Sequence, residues 1–342
     1  MMMQNKAIST VIATVLMLMI VIALGGTAYL FISGTFTSKT ATTFEVIDAI
    51  NDTVIIRNSG TDAITSFSSV KIDNEDAVYR VSTQDPSLVL HLKMDESSWI
   101  SDCASETVID SSGRDNNGKA CGATPVQGKF GNAGDFDGDN SIVLPANQDT
   151  SLKNTVSTYT FWINSRDTVI GNFIASAYSG DPCSTAGSFN IDIVSDGIRI
   201  CYNAGEGVRP LKITTPENIN GQWYYFAVIK DHNTNTISVY KNGLFEGSDS
   251  FTAFTPSNSN PSMGNNQETG NPADWFVGSI EEVKIYNRTL SKREIKAVYN
   301  IGDQINPGEK ATIKVYNQLS KGTHTLRLCT SSMCNVAILT II

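Results

Sequence analysis

No charged residue lies between Lys6 and Lys39, and this stretch constrains the fold more than any other feature of the chain. Residues 8–32 read ISTVIATVLMLMIVIALGGTAYLFI. About 20 apolar residues in a helix cross a hydrocarbon core of about 30 Å, so this run is long enough to span a membrane. A secretory signal has a shorter apolar core that is followed by a small-residue cleavage site. We therefore predict a transmembrane helix that the mature protein retains.

The charges on either side of this helix predict its orientation. Lys6 is the positive flank before the helix, whereas the remainder of the chain is acidic. Positive residues favour the cytoplasmic side, so we expect a single-pass protein in the cell membrane with its C-terminal bulk outside the cell. Asn-x-Thr sequences at Asn51 and Asn287 are compatible with glycosylation of an extracellular protein, although such short sequences also arise by chance.

The composition bounds the size and the partners of the rest of the chain. Its 342 residues exceed what one hydrophobic core organises, so we expect two or three folding units. The formal net charge is −9 and the sequence has no cluster of Lys and Arg, which argues against nucleic acid as a partner. An acidic chain suits a solvated outer surface or a cation site.

Six cysteines fall in three pairs whose members are close in the sequence. An even number of cysteines in an extracellular chain predicts disulfide bonds, and therefore an oxidising compartment. No CxxC doublet of a zinc site or a redox pair occurs, and inert free thiols are the alternative. The expected pairs are Cys103 with Cys121, Cys183 with Cys201, and Cys329 with Cys334.

The residues at the start of the apolar helix carry a family resemblance. The sequence KAISTVIA at residues 6–13, followed by an unbroken apolar helix, resembles the class III signal peptide of archaeal type IV pilins. The resemblance implies that a prepilin peptidase cuts between Ala7 and Ile8. It also implies that Lys6 is the charge that this peptidase recognises.

This processing would make residues 1–7 a leader and residues 8–33 the N-terminal helix of the mature protein. In the pilin family such helices pack against those of other pilin subunits and form the core of a filament. Thr10 stands where many relatives have proline, which is a departure from the family pattern. A plain signal anchor is the alternative interpretation.

Short segments with a period of two predict β-strands on both sides of a long middle region. They occur within residues 44–81 and again within residues 308–342. The first group has too few strands for a second sheet, and its apolar face would stay exposed. We therefore predict one small β-sandwich that is split into residues 34–82 and 301–342. The phrases DTVIIRNSGTDAI, NPGEKATIKV and KGTHTLRLC resemble the globular head of archaeal pilins.

Residues 83–300, inserted between these halves, show short strands, regular turn residues and almost no helical periodicity, which predicts an all-β sandwich. Seven phrases in a fixed order resemble the LamG-like, concanavalin A-like jelly-roll family: LVLHLKMDES, VIDSSGRDNNGKA, GKFGNAGDFDGDNSIVLP, TYTFWINS, GQWYYFAVIKD, ISVYKNGLFEGS and FVGSIEEVKIYNRTLSKREIKAVYN. Near the end, Ser291 and Glu294 predict a capped short helix. The expected fold class is mainly β, with one N-terminal transmembrane helix, a small split sandwich head and an inserted jelly roll.

Aromatic side chains are candidates for contact with sugar rings on a jelly roll. Trp162 and Trp223 lie in strand-like runs, where a tryptophan is more often part of the core. Trp99 and Trp275 lie in loops rich in Ser, Asp and Asn, so these two are the candidate ligand-binding aromatics. The alternative is that each ring covers the edge of a sheet.

The loop from Asp110 to Gly118 is dense in oxygen-bearing side chains. Ca²⁺ binds about six to eight oxygen ligands from carboxylates, amides and carbonyls. The jelly-roll resemblance implies a structural calcium site that ties this loop to the first and last strands. Its implied ligands are Asp95, Asp110, Asn117 and Glu281. The alternative is an Asx-rich turn that hydrogen-bonds to its own backbone, with Glu281 solvated.

Catalysis on a jelly roll would need two carboxylates, which retaining glycoside hydrolases hold about 5 to 5.5 Å apart. Strands supply such a pair at alternate positions, yet no Glu-x-Asp-x-Glu run occurs, and the nearest approach, residues 190–196, has no Glu. The histidines His91, His232 and His324 lie in no nucleophile or metalloprotease motif. We therefore expect that the protein is not an enzyme.

The helix, the split head and the insertion together suggest a binding architecture. We expect a pilin-like surface protein that acts as an adhesin or a pilus subunit and recognises glycan or protein ligands through its LamG-like domain. Many copies in one filament would add weak contacts through avidity. The alternatives are a membrane-anchored lectin that does not polymerise and a carbohydrate-active enzyme.

Overall fold

The computed structural model describes residues 41–151, 154–166, 171–176, 189–194, 197–202, 209–214, 221–251, 261–264 and 275–342, and it describes only the backbone of 171–176, 201–202 and 209–214. The predicted leader and the predicted membrane helix lie outside these ranges, as do the processing residues Lys6, Ala7 and Ile8. Among the residues that are described, no helix is long and apolar enough to cross a membrane.

The described chain is built almost entirely of short strands. The first five are β1 (Phe44–Ile50), β2 (Thr53–Asn58), β3 (Ser69–Ile72), β4 (Glu75–Asp76) and β5 (Tyr79–Ser82). The next are β6 (Leu88–Leu92), β7 (Lys119–Cys121), β8 (Thr124–Gln127), β9 (Asn132–Asp137), β10 (Ser141–Val143), β11 (Val156–Ser165), β12 (Gly171–Ser176), β13 (Phe189–Val194), β14 (Gly197–Tyr202), β15 (Arg209–Thr214), β16 (Trp223–Asp231), β17 (Thr236–Lys241), β18 (Leu244–Ser250), β19 (Pro261–Met263) and β20 (Val277–Tyr286). Helix α1 (Lys292–Ile301) and strands β21 (Lys310–Val315), β22 (Gly322–Cys329) and β23 (Cys334–Ile341) complete the chain.

Strands β1 to β5 and β21 to β23 form what we call the small sandwich. One sheet has the order β1-β2-β21-β5 and the other has the order β23-β22-β3-β4. Strand β21 lies between β2 and β5, and β22 lies beside β3, so strands from the two ends of the chain complete both sheets. Alternate side chains of β2, Val54 and Ile56, are buried in one core with Ile313 and Leu339.

Strands β6 to β20 form the large sandwich, which consists of two sheets that pack face to face. The seven-stranded sheet has the order β15-β14-β13-β12-β19-β10-β7. The eight-stranded sheet has the order β18-β17-β16-β11-β20-β9-β8, and β6 pairs with β20. Side chains from both sheets meet in one apolar core that includes Ile191 of β13, Phe161 of β11 and Phe226 of β16. Each sheet therefore has an inner face toward this core and an outer face away from it.

Helix α1 covers part of the outer face of the eight-stranded sheet. Ser291 caps it: its hydroxyl accepts from the Glu294 amide, and the Glu294 carboxylate accepts from the Ser291 amide. The predicted capping box is therefore confirmed. Val298 packs with Trp162 of β11, whereas Ile301 belongs to the core of the small sandwich. The helix thus contacts both sandwiches.

Two of the three expected disulfide bonds lie in the described part of the chain. Cys103 is bonded to Cys121, and Cys329 is bonded to Cys334. The second bond closes the hairpin of β22 and β23, because its cysteines are opposite each other at the end of the ladder. The third expected pair is not described: Cys183 lies outside the described residues, and Cys201 is described by its backbone alone.

Candidate functional site

Strand β20 has a bulge that brings two carboxylates to one face of the eight-stranded sheet. The ladder with β11 shifts its register next to Glu281, so β20 has one extra residue there. Glu282 has a φ of 52°, a left-handed backbone that is uncommon for a residue with a side chain. Ile280 and Val283 both lie in the core of the large sandwich. The side chains of Glu281 and Glu282 are therefore both on the outer face.

Glu282 is buried where the two sandwiches meet. Its Oε2 lies 3.2 Å from Nε2 of His91 in β6 and 3.7 Å from Nε of Arg80 in β5. Burial alone would raise the pKa of Glu282, but the hydrogen bond with His91 and the charges of Arg80 and Lys284 lower that pKa well below its ordinary value. Burial also lowers the pKa of His91. The carboxylate is therefore ionised, and Arg80 is its cationic partner from the small sandwich.

Arg80 and Lys284, whose charges act on Glu282, also bind groups at helix α1 and just after it. Nη2 of Arg80 donates to the carbonyl of Val298 in α1 at 3.0 Å, and the guanidinium lies 4.6 Å from the centroid of the Phe130 ring. Nζ of Lys284 donates to Oδ1 of Asp303 at 2.7 Å. All of these charges are buried, so the network holds one sandwich on the other and offers no surface to a ligand.

Glu281 lies beside this network and does not reach solvent. Its Oε2 accepts from the amides of Lys129 at 3.0 Å and Phe130 at 3.2 Å. Burial raises its pKa to about 8, so the carboxyl is protonated at neutral pH. A side chain at Gly128 would collide with Oε2. The alternative that Glu281 is a solvated residue is therefore wrong, because the side chain has no exposed surface.

Asp95 lies at a second contact between the sandwiches. Its Oδ2 accepts from the hydroxyl of Tyr316 at 3.1 Å and lies 3.5 Å from Nζ of Lys314 in β21. Its Oδ1 accepts from the amide of Asn132 at 3.3 Å. Burial raises the pKa of Asp95 above its ordinary value, although Lys314 opposes the shift.

Asp110 and Asn117 are close together, but their side-chain oxygens already accept hydrogen bonds from their own loop and from strand β6. Oδ1 of Asp110 accepts from the amides of His91 at 2.8 Å and Ser112 at 2.9 Å. Its Oδ2 accepts from the Ser112 hydroxyl at 2.7 Å and the Asn116 amide at 3.0 Å. Oδ1 of Asn117 accepts from the amide of Asp110 at 2.8 Å. This is the geometry of the self-bonded Asx turn.

The four residues implied as calcium ligands do not fit the ion. Within the described ranges, no group of three or more His, Cys, Asp or Glu side chains is placed to hold a metal. Asp110 and Asn117 bond to each other, whereas Asp95 and Glu281 bond to backbone amides of the turn at residues 128–132. A calcium ion would have to displace these protein donors.

The remaining predicted site residues are surface or packing positions. Trp99 packs against the core of the large sandwich, and its Nε1 donates to Oε2 of Glu96 at 2.9 Å, as expected of a ring that covers a sheet. Trp275 is partly buried, and its role in ligand binding stays a prediction. Asn51 and Asn287 are both exposed, so both acceptor side chains are accessible.

The outer face of the seven-stranded sheet carries a polar pair that the sequence analysis did not propose as a binding site. On β13, Ile191 faces the core, so Asn190 and Asp192 on either side of it face outward. Arg199 of β14 is opposite Asp192 in the ladder, and its Nε and Nη2 lie 2.8 and 2.7 Å from Oδ2 of Asp192. Asn190 and Asp192 are both buried, while Arg199 remains partly exposed. The alternation of FNIDIV was the visible signal for this face.

The strands of this sheet have one carboxylate and several side chains that can donate hydrogen bonds. By sequence, Asp192 is the one Asp or Glu in the seven strands, whereas a glycosidase needs two carboxylates. In the ladder, Asn172 of β12 is opposite Asp192, and Lys212 of β15 is opposite Arg199. A guanidinium held by a carboxylate keeps its other N–H groups free to donate to hydroxyl or carboxylate oxygens of a ligand.

Two antiparallel sheets packed face to face, followed by a short helix, make the large sandwich a jelly-roll-like β-sandwich. Residues 136–296 match the family Laminin_G_3, described as the concanavalin A-like lectin/glucanases superfamily. The predicted resemblance to the concanavalin A-like family is therefore confirmed for this part of the chain. The match does not include the small sandwich. No curated protein matches the chain.

Solved structures to which part of the chain is similar include binding domains. The binding domain of Paraclostridial Mosquitocidal Protein 1 has 16% identity and a TM-score of 0.49, and the match covers 63% of this chain and 52% of that one, so the chain spans about half its length. Domain 4 of AbnA, a GH43 extracellular arabinanase from Geobacillus stearothermophilus solved with arabinotriose, has 21% identity, coverage of 63% and 98%, and a TM-score of 0.46. The binding domain of Botulinum Neurotoxin DC in complex with SialylT has 13% identity, coverage of 63% and 51%, and a TM-score of 0.47.

Proposed function

We propose that the chain is a pilin-like surface protein, an adhesin or pilus subunit, whose concanavalin A-like domain recognises glycan or protein ligands. A prepilin peptidase cuts after Ala7, the helix at residues 8–33 stays in the membrane or packs with other pilin subunits, and the C-terminal bulk is extracellular. The recognition step is binding without bond cleavage.

One observation carries this proposal: strands from both ends of the described chain form a single small sandwich, and that sandwich follows directly after the apolar run. A lectin-type domain is inserted into it between β5 and β21. This arrangement, in which a membrane helix carries a head and the head carries an inserted domain, suits the display of a binding module outside the cell. Display in many copies turns weak contacts into strong adhesion.

The outer face of the seven-stranded sheet is the part of the domain that best suits ligand contact. Arg199 is held by Asp192 and remains partly exposed, whereas Glu281, Glu282 and Lys284 on the outer face of the eight-stranded sheet are buried under other elements. We place the partly exposed Arg199 in the binding face, where the buried Asp192 holds its guanidinium, with Trp275 as the aromatic contact. A preorganised guanidinium favours ligands that offer paired oxygens.

Mass spectrometry of the native protein tests the processing step. We expect a mature N-terminus at Ile8 in the native chain and an unprocessed leader in the Lys6→Ala variant. An intact Met1 in the native protein, or a cut beyond residue 32, would reject the pilin assignment and leave a membrane-anchored or secreted lectin.

A glycan array probed with the full chain in detergent tests the recognition step. We expect binding to a subset of neutral or acidic oligosaccharides, and loss of most of that binding in Arg199→Ala. Arg57→Ala is the matched control, because Arg57 is also a partly exposed arginine in an ion pair, with Glu45 of the small sandwich. Equal glycan binding by both variants would mean that the ligand binds elsewhere on the protein.

A further inference from the structure

A polar cleft lies at the junction of the small and large sandwiches. Its volume is about 520 Å³, and small-molecule sites have volumes of about 300–1,000 Å³ and occur often where two domains meet. Among the described residues, its lining includes Ile55, Ser82, Lys93, Ser111, Lys310 and Thr312. Both sandwiches contribute side chains, so the cleft exists only where the insertion meets the head. We call it the junction cleft.

The small sandwich forms one wall of the junction cleft from a row of three side chains. Thr312 of β21 is opposite Ile55 of β2 in one ladder and opposite Ser82 of β5 in the other. Their neighbours Ile56 and Ile313 belong to the core, so the alternation along the strands turns this row to the outer face of the sheet. The wall therefore offers two hydroxyl groups beside one apolar side chain.

The large sandwich forms the other wall from two neighbouring segments. Lys93 directly follows β6, and Ser111 belongs to the loop after Asp110. The amide of Ser111 donates to the carbonyl of His91 in β6 at 2.8 Å, so this loop is held beside the strand. Gln84, in the connection from β5 to β6, is exposed and also lines the cleft. This wall therefore adds an ammonium, a hydroxyl and an amide.

Two lysines line the junction cleft, one from each wall. Within the described part of the chain, neither Lys93 nor Lys310 forms a salt bridge. Arg57 and Lys314, on the same outer face as Lys310, both have carboxylate partners. The ammonium groups of Lys93 and Lys310 are thus available to an anion, in a chain whose net charge is −9.

Glu309 also lines the cleft, but its carboxylate is engaged by its own turn. Its Oε2 accepts from the amide of Asn306 at 2.8 Å. Burial raises the pKa of Glu309, and the charges of Asp303 and Asp85 raise it further, although the hydrogen bonds with Asn306 oppose the shift. Among the described lining residues, this is the one carboxylate against two lysines, so the excess charge of the cleft is positive.

We propose that the junction cleft binds an acidic saccharide, with a carboxylate of the ligand between Lys93 and Lys310. The hydroxyls of Ser82 and Thr312 then bond to sugar hydroxyls, and Ile55 packs against the C–H groups of a ring. A simple anion would leave most of this volume and the neutral donors unused, so a ligand that has hydroxyl groups as well as charge fits better. The site lies away from the seven-stranded sheet and goes beyond the proposed function.

A ligand in the junction cleft touches both sandwiches at once. It binds the arrangement in which both walls are in place, so its binding stabilises that arrangement against separation of the sandwiches. We therefore expect slower amide hydrogen exchange in both walls, at residues 82–93 and at residues 308–313, when the ligand is bound. Slower exchange in one wall alone would contradict a site that both sandwiches form.

Isothermal titration calorimetry with the full chain in detergent tests the ligand class. The probes are digalacturonate, its dimethyl ester, which keeps the sugar rings without the charge, and sodium sulfate. We expect digalacturonate to bind, more weakly as salt is added, and the other two to bind about tenfold more weakly or not at all. No binding of digalacturonate, or equal binding of its ester, would overturn the inference. Equal binding of sulfate would make this a simple anion site and overturn the saccharide assignment.

Substitution of the two lysines tests the position of the charge. We expect Lys93→Ala and Lys310→Ala each to lower the affinity for digalacturonate by about tenfold, because each removes one charged donor to the carboxylate. Lys321→Ala is the matched control, since Lys321 is an exposed lysine that does not line the cleft. Unchanged affinity in both cleft variants, or an equal loss in the control, would overturn the site.

A bulky side chain tests the cavity without a change of charge. Thr312→Trp places a large ring in the junction cleft and should abolish binding of digalacturonate. Thr323→Trp is the control, because Thr323 is an exposed threonine on β22 of the other sheet. Circular dichroism of both variants verifies that they are folded. A folded Thr312→Trp variant that binds as the native chain does would contradict the proposed cavity.

The same titrations separate this site from the proposed binding face. Digalacturonate binding that is lost in Arg199→Ala and kept in both lysine variants would place the ligand on the seven-stranded sheet and overturn this inference. Binding that is lost in both lysine variants, in a chain whose glycan-array signal does not depend on Arg199, would reject the proposed binding face and support the junction cleft.

Discussion

The two sheets of the large sandwich share one core but have different outer faces. Part of the outer face of the eight-stranded sheet is covered, and in that part Glu282 and Lys284 pair with groups from other elements. The outer face of the seven-stranded sheet has Asp192 and Arg199, which pair with each other across two neighbouring strands. Charges that bridge separate elements hold the fold together, whereas a charge pair within one sheet leaves donors available to a ligand.

The largest expected effect is at the covered face. Arg80→Ala leaves Glu282 buried without its cationic partner from the small sandwich, and we expect the free energy of unfolding to fall by ~3–5 kcal/mol. Arg57→Ala removes an exposed pair and should cost less than ~1 kcal/mol. Guanidinium denaturation of the full chain in detergent measures both. Similar costs for the two variants would mean that the buried network does not join the sandwiches.

A second prediction concerns the layer between the two sheets. Lys230 of β16 lies 4.5 Å from the centroid of the Phe189 ring of β13, and burial lowers its pKa from 10.5 to about 7. The unfolded chain then binds more protons between these pH values, so Lys230 makes stability rise with pH across that window, by up to ~1.4 kcal/mol per pH unit.

Lys230→Met should remove this contribution, and its stability should exceed that of the native chain most clearly below pH 7. Denaturation at a series of pH values for both proteins gives the difference. Groups such as Glu281, whose raised pKa has the opposite effect on the slope, are present in both proteins and cancel in the comparison. Parallel pH profiles would contradict the buried, partly neutral amine.

A smaller effect is expected at the Asp192–Arg199 pair of the seven-stranded sheet. Arg199→Ala leaves Asp192 buried with one partner fewer, but Arg199 is partly exposed, so solvent screens the loss and we expect a cost of ~1–2 kcal/mol. The Arg199→Ala variant should also lose glycan binding. Arg80→Ala, assayed without denaturant where it is still folded, should keep glycan binding. A cost as large as that of Arg80→Ala would make the Asp192–Arg199 pair a structural element and remove the contrast between the two faces.

The smallest expected effect is that of metal removal. The oxygens of Asp95, Asp110, Asn117 and Glu281 already accept protein hydrogen bonds, so we expect chelation by EDTA, or addition of Ca²⁺, to leave the melting temperature unchanged. Differential scanning calorimetry measures this. A rise of several degrees with Ca²⁺ alone, and not with Mg²⁺, would show that the ion displaces these donors.

The elements that depend on local pattern could be predicted from the sequence. The capping box at Ser291 needs residues three apart, and the disulfide between Cys329 and Cys334 needs one hairpin, so both are visible in a short window. The period-two strands at both ends also indicated that each half lacks a partner sheet, and β21 and β22 supply it.

The network around Glu282 could not be predicted in this way. Strict alternation along β20 would turn Glu282 inward, and only the bulge brings it to the same face as Glu281. Its partner His91 is 191 positions away in the sequence, and Arg80 belongs to the other sandwich. Two consecutive glutamates between Ile280 and Val283 were the local sign that the alternation breaks here.

The insertion leaves the small sandwich and returns to it at neighbouring points. The amide of Thr83 donates to Oδ2 of Asp303 at 2.9 Å, and Gly302 lies against the backbone of Val81. A short turn, or the two ends of an unrelated domain, could join these points without moving β5 or β21, and the entropy of closing even a long loop grows slowly with its length. Recombination could therefore replace the inserted sandwich with an unrelated domain in a single step, while the small sandwich keeps both of its sheets.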